Sequence, residues 1–350
     1  MIGLEQTQRG WELEWRDPDD FRMNYFFSET KVVFDGLAEL SDLTWATAAS
    51  LWHMRAQFKG HFDLVVETTG IAPTPDEIKQ RFLGGVHYAP NYRVSGVDLR
   101  EFLHKRSWED DLGVLARFSL GNAIALYEGW VESVVTRFGG PPGDGGRLQF
   151  PTARSSAGVP TSGCEVTLAR YSVTASQTMR AAFTRSLRDR KNNVPQLIDA
   201  NLTCYRGFKE VRNAWAHRGG IADAVTVQAV NLARSLTPGQ LRLKQAPLPD
   251  PAQIGSTATA SLFHVIGFLQ VVRRIVTTVE SRLALTPTGE AAFLQRWRSA
   301  HPQQVPVPRD LSRRMRHYRN ELTTGLSFPE PRALSRIHTL LLREGLVRLA

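Results

Sequence analysis

The stretch from Leu115 to Phe138 is long, largely apolar and closed by Gly139-Gly140. It predicts a helix that other helices must cover, because a helix apolar over most of its surface has to be buried. Three further helical runs supply that cover: about Ser172 to Lys191, then Val194 to His217, then about Ala258 to Leu285. In the third helix of this order, Leu197, Ile198, Leu202, Tyr205, Phe208, Val211 and Trp215 recur mostly at spacings of three and four, which lines one face with apolar side chains. Pro195 suits its first turn and Gly219 its C-terminal cap. The expected fold class is therefore mainly α, with an up-and-down helical bundle over residues 111–285.

That third helix ends on Arg212-Asn213-Ala214-Trp215-Ala216-His217, followed by Arg218-Gly219-Gly220. Arg212 keeps its charge at any working pH and can grip phosphate oxygens with a planar fork, whereas His217 can move protons near neutrality. The pairing suits phosphoryl chemistry without a metal. At about 100° per residue, Asn213 and His217 share a face, and Arg212 reaches in from the side. Asn213 is placed to orient the ring or to hold a phosphate. The plainer readings are a helix-end imidazolium on the last carbonyls for His217 and a solvated side chain for Arg212.

Spacing alone selects little in a chain with 36 Arg and 7 Lys. Arg55/His61, Arg81/His87, Arg296/His301 and Arg332/His338 satisfy the same loose pattern. Lys59-Gly60 interrupts the first, Gly84-Gly85 the second, and Pro302 follows the third. Pro329 and Pro331 precede the fourth, which lacks the amide. Arg212/His217 alone combines an adjoining Asn, a helical lead-in and a Gly stop.

This helix order, with Arg-Asn-x-x-x-His ending the third helix, resembles the HEPN superfamily of helical domains over residues 112–285. The resemblance implies a metal-independent endoribonuclease of the kind found in toxin–antitoxin, abortive-infection, CRISPR-linked and other antiviral systems. It makes Arg212, Asn213 and His217 the active-site residues and adds an acidic residue on the first bundle helix, here Glu128. Glu132 lies one turn on, and a solvated carboxylate is the ordinary explanation of either. The resemblance also implies a homodimer with facing motifs, so that a second His completes a composite site. RNA supplies its own nucleophile in the 2′-hydroxyl, and the protein must provide a proton acceptor, a proton donor and charge stabilisation. The products would be a 2′,3′-cyclic phosphate and a 5′-hydroxyl, with no cofactor and no metal. RNA and an antitoxin or other defence protein are the expected partners.

A net charge of +9 and a pI near 9.9 favour a polyanionic partner, although Arg bias equally fits a GC-rich genome. The candidate nucleic-acid contacts are Arg185, Arg188, Arg190 and Lys191, then Arg218, then Arg313, Arg314, Arg316 and Arg319. Trp297, His317 and Tyr318 are available for stacking beside the last cluster, whose alternative is a solvated helix face. Arg319-Asn320 repeats the start of the motif without a His in reach, a decoy. Cys164 and Cys204 have no metal-ligand spacing and fit a reducing cytosol. No signal segment opens the chain, and Arg273, Arg274 and Glu280 break the apolar run before Leu285, so a cytoplasmic protein without membrane contact is expected.

Residues 1–110 read as mostly helical, with short strands at Trp11 to Trp15, Lys31 to Phe34 and Phe62 to Glu67 and a helix from Leu43 to Phe58. Their aromatics, Trp45 and Trp52 among them, read as core, with trigger recognition or an RNA channel as the functional alternative. Gly139 to Gly163 and Leu236 to Gly255 read as exposed loops, and neither has the Lys of a phosphate-cradling loop. Residues 286–350 read as a small basic appendage, helical or winged-helix-like, closed by an amphipathic helix from Leu334 to Leu349. The rival functions are a non-catalytic RNA- or protein-binding bundle and a nucleic-acid sensor whose C-terminal unit binds DNA.

Overall fold

The computed structural model describes residues 24–83, 101 and 105–350. They are mainly helical: α1 (Ser28–Thr69), α2 (Pro75–Leu83), α3 (Trp108–Arg137), α4 (Asp144–Arg147), α5 (Cys164–Tyr171), α6 (Gln177–Arg188) and α7 (Ile198–His217). There follow α8 (Ala224–Arg234), α9 (Pro238–Leu241), α10 (Leu262–Leu283), α11 (Pro287–Ala300), α12 (Leu311–Asn320) and α13 (Leu334–Arg343). Strands β1 (Ala153–Arg154) and β2 (Pro160–Ser162) pair antiparallel, and β3 (Val305–Val307) and β4 (Val347–Leu349) pair parallel.

The chain forms two compact units, and they cut across the boundaries expected near residues 110 and 285. The larger holds Glu29–Val173 and Arg190–Leu283, the smaller Met1–Ser28, Thr174–Asp189 and Ala284–Ala350. Thus α1 belongs with the bundle helices, and α6, expected as the second bundle helix, belongs with the C-terminal segment.

In the larger unit a capping box between Ser107 and Asp110 fixes the first turn of α3. Helix α1 runs antiparallel along α3, since the bonded pairs step in opposite directions. Arg137 pairs with Glu29 at 2.6 Å, Trp130 Nε1 donates to Thr30 Oγ1 at 3.1 Å, Thr44 and Ser119 meet at 2.8 Å, and Arg55 donates to Asp111 at 2.7 Å. Lys31 to Phe34 and Phe62 to Glu67 are therefore helical, not strands. A few alternating residues do not outweigh the helical spacing of Val33, Phe34, Leu37, Leu40, Thr44 and Ala48, all buried on one side of a 42-residue helix. Trp52 is exposed against Trp108 rather than in the core, and Trp11 to Trp15 lies outside the described residues.

Helices α3, α7 and α10 converge on buried rings. Tyr127 meets Tyr205 edge-on at 4.8 Å, Tyr205 stacks on Phe268 at 6.0 Å, and Phe208 lies 4.6 Å from Phe268. Among the described residues α10 alone is long and apolar enough to cross a membrane, but 72% of that window is buried and it serves as a core helix. Arg190 pairs with its buried Glu280 at 2.6 Å, and the Val194 amide donates to Thr278 Oγ1 at 2.9 Å. These bonds anchor the approach to α7. Helix α8 crosses α7 at Gly207, where a Cβ would lie 2.5 Å from the Cβ of Ala233.

The segment from Gly139 to Gly163, expected as an exposed loop, is only partly one. Buried Asp144 accepts hydrogen bonds from the Tyr171 hydroxyl at 2.8 Å, Arg170 at 2.5 Å and Arg147 at 3.1 Å. Burial alone would raise its pKa, but these bonds and the two cations outweigh it and hold the carboxyl below its ordinary value.

In the smaller unit Phe26, Phe183, Phe293 and Phe328 form one cluster, with Phe26 lying 5.4 Å from Phe183 and 5.3 Å from Phe328. Arg296 lies over Tyr25 and Phe328 and donates to the Tyr25 and Phe26 carbonyls. The closing helix stops at Arg343, short of the expected Leu349, because the chain turns at Glu344-Gly345 and enters β4 beside β3.

Two stability predictions follow from these contacts. Gly207→Val should cost roughly 1–3 kcal/mol in urea denaturation by forcing α8 off α7. A lowered pKa in the folded state means that the Asp144 contribution is present above the ordinary carboxylate range and is lost as pH falls through the folded-state value. Asp144→Asn should be less stable than the parent near pH 7, and the gap should close below about pH 4 when both are unfolded in urea across that range.

Candidate active site

Helix α7 buries Leu202, Tyr205, Phe208, Val211 and Ala214 and turns the side carrying Arg206, Asn213 and His217 outward. Its end is closed on several sides. Gly219 and Gly220 take positive φ of 60° and 88°, a conformation that disfavours side chains, and the Gly220 amide returns to the Ala214 carbonyl at 2.9 Å. Residues 220–222 then pair with residues 255–258. Ala258 donates to the Gly220 carbonyl at 2.8 Å, Ala222 to Ser256 at 2.9 Å, and Trp215 Nε1 to the Ala258 carbonyl at 2.7 Å. The hexamer sits on a fixed helix end.

Within it, Arg212 Nη2 donates to Glu128 Oε2 at 2.9 Å, and Lys209 Nζ reaches Glu128 Oε1 at 2.5 Å. Two cations from α7 therefore converge on one carboxylate from α3. This overturns the solvated reading of both Arg212 and Glu128, whose side chains are about three-quarters covered at 23% and 29% exposure. Arg212 Nε is buried and bonded to nothing among the described residues. Under the pair lies the Tyr205 hydroxyl, also buried and unbonded, its pKa pushed up first by burial and then by Glu128.

Asn213 neither touches the ring nor stands free. Its Nδ2 donates at 3.3 Å to Glu210, a carboxylate only 5% exposed that also holds Arg206. His217 is exposed, and its ring makes no hydrogen bond among the described residues, so it does not cap the carbonyls of α7. Lys209 also donates to Gln149, and the Arg206 guanidinium lies 4.2 Å from the centroid of Phe150. Arg206, Lys209, Glu210, Gln149 and Phe150 were missed in the sequence. The first three had a signal, an i,i+4 Arg206–Glu210 pair with Lys209 directly before the Glu, whereas the loop pair had none.

The four look-alike pairs separate cleanly. Arg55 and His61 share a helix after all, since α1 runs through Gly60, but Arg55 is engaged with Asp111 and the Arg106 carbonyl. Arg296 is engaged in the smaller unit, Arg332 precedes α13, and the His338 ring meets the Tyr318 hydroxyl at 2.9 Å. His87 lies outside the described residues.

The expected nucleic-acid contacts do not form one set. Arg190 is engaged with Glu280, and Arg218 with Asp223 at 2.8 Å and Thr226 at 2.9 Å. Arg185 and Arg188 flank Asp189 on exposed α6, and Lys191 is exposed. In the smaller unit Arg313 and Arg316 are exposed, Arg314 donates to the Pro308 and Arg309 carbonyls, and Arg319 pairs with Glu330 at 3.1 Å. Trp297 and Tyr318 are fully buried, which removes them as stacking surfaces. Cys164 and Cys204 are buried, the former pushed up to about 12 chiefly by burial. Among the described residues no three His, Cys, Asp or Glu side chains gather to hold a metal. Searches of family models, curated proteins and solved structures return no match to this chain.

Proposed function

We propose that the chain is a metal-independent endoribonuclease of the HEPN type, working on RNA at the C-terminal end of α7. The observation that carries the reading is the contrast within one helix end. Arg212 and Asn213 are anchored by carboxylates, while His217, at the last turn, stays exposed and unbonded. Anchored charge and a free imidazole are what in-line attack by a 2′-hydroxyl requires, since charge stabilisation works best preorganised and proton transfer needs access to the substrate. His217 acts as base or acid. Arg212 stabilises the phosphorane-like transition state, and Glu128 positions it together with Lys209.

One helix end supplies one imidazole, so a homodimer provides the second. Exposed Ile221 and Val225, which directly follow this helix end, support pairing there. Antiviral defence or a toxin–antitoxin system in a prokaryotic cytoplasm is the setting that the resemblance suggests, with an antitoxin or defence protein as controlling partner. A second reading, binding without turnover, is favoured by one observation: Glu128 already neutralises part of the cationic pair. A third, a DNA sensor, rests on the fourteen Arg against six acidic residues in residues 174–189 and 284–350.

The nuclease reading expects cleavage of single-stranded RNA in EDTA with a 2′,3′-cyclic phosphate end, read by gel and mass spectrometry. His217→Ala should reduce the rate by about a hundredfold or more with folding intact, and unchanged cleavage would remove the catalytic assignment. Affinity without turnover would select the second reading, and preferential binding of duplex DNA with intact RNA the third. Glu128→Gln should separate the kinetic constants. Freeing two cations lowers KM for RNA and steepens its salt dependence, while a less fixed Arg212 lowers kcat.

A further inference from the structure

Phe150 is an aromatic side chain left 45% exposed on a backbone that is held firmly. Its amide donates to the Arg147 carbonyl at 3.2 Å, and its own carbonyl accepts from the Cys164 amide at 3.1 Å. Two residues on, the amide and hydroxyl of Thr152 both donate to Asp199 at 2.8 Å, which ties the segment to the first turn of α7. One face of the ring carries the Arg206 guanidinium, and Arg206 is itself fixed by Glu210. Nearly half of the residue remains open to solvent.

Single exposed apolar residues are ordinary, so exposure alone argues nothing. Position does. At about 100° and about 1.5 Å per residue, Arg206, Glu210, Asn213 and His217 fall within about 60° of one another on α7, and Arg206 lies about 16 Å from the level of His217. Phe150 therefore stands at the head of the line that ends on the exposed imidazole. A cation-backed ring at one end of such a line and phosphate-handling groups at the other match the parts of a single-strand groove, in which bases stack on aromatics and cations follow the backbone. A duplex keeps its bases stacked on each other and offers such a ring no free face, so the chemistry selects an unpaired strand.

We propose that Phe150, backed by Arg206, is a stacking platform for an unpaired base of single-stranded RNA, a few nucleotides from the phosphate engaged near Arg212 and His217. The proposal rests on the RNA reading above but not on cleavage. Stacking tolerates every base, so the platform sets affinity and register rather than sequence preference. Lys209, which also donates to Gln149 in the adjoining loop, lies between the two ends.

The test uses short 2′-O-methyl RNA oligonucleotides, which lack the attacking hydroxyl, with 2-aminopurine placed at successive positions. Wild-type protein should bind them and quench the fluorescence of one position most strongly. Phe150→Leu keeps an apolar cover over Arg206 but has no ring, and should lose that quenching and raise Kd about tenfold. Phe150→Tyr should retain both. Thermal melts of all three should agree within a few degrees, because the side chain is half exposed. Absence of binding by the wild type, wild-type quenching in Phe150→Leu, or equal losses in Phe150→Leu and Phe150→Tyr would each overturn the platform. Position-specific quenching without cleavage of unmodified RNA would leave the platform standing and sink the nuclease reading. Cleavage that is indifferent to Phe150 would do the reverse.

Discussion

The Glu128 carboxylate, reaching from the middle of α3 to Lys209 and Arg212 on α7, is the contact on which the candidate site depends. Below it the interface is buried and aromatic, made by Tyr127, Tyr205 and Phe268, and the Tyr205 hydroxyl finds no partner among the described residues. Charges at the edge of such a layer are poorly screened, so the pairings hold their geometry more strictly than surface pairs do. Glu210 repeats the arrangement one turn away with Arg206 and Asn213. The polar side of α7 is thus organised by two carboxylates before any ligand arrives. His217 is left outside both networks, exposed in the last turn of α7.

How much of this could be read from the sequence depends on how local the cause was. The helices α3, α7 and α10 follow from apolar spacing, and the ends of α3 and α7 from Gly139 and Gly219, all within a few residues of each other. What failed was set by partners far along the chain. The 42-residue α1 takes its face from α3, so brief alternation at Lys31 to Phe34 and Phe62 to Glu67 carried no strand, and Gly60 did not break it. Helix α6 has the look of a bundle helix, yet Phe183 packs with Phe26, Phe293 and Phe328. The hexamer was legible as a motif, whereas Glu128 was singled out from Glu132 only by the resemblance. The partner of Asn213 was not legible, because Glu210 reads as a solvated charge until the fold buries it.

The Arg excess also changes meaning once the fold is known. Arg55, Arg137, Arg190, Arg218 and Arg296 all bond to carboxylates or carbonyls within their units, using a donor fork that Lys lacks. Part of the basic composition is therefore internal wiring rather than a footprint for polyanions. The exposed remainder is uneven: residues 174–189 and 284–350 contain no Lys and carry Arg313 and Arg316 on an open helix face. Net charge alone would have assigned all of these to nucleic acid.

Symmetry gives a last constraint on how two copies would cooperate. In a two-fold pair, residues near the axis meet their own counterparts, and residues far from it do not. The exposed apolar side chains beside the end of α7 include Ile221, four residues after His217, and Val225 on the following helix. In the proposed homodimer an axis through that patch would bring the two imidazoles toward each other, as the proposed acid–base pair of His217 rings requires. It also leaves Phe150, about 16 Å back along α7, on the outer flank of each copy. The dimer would then present a central pair of His217 rings between two outlying stacking faces, so a strand could enter from either side and meet the same order of contacts.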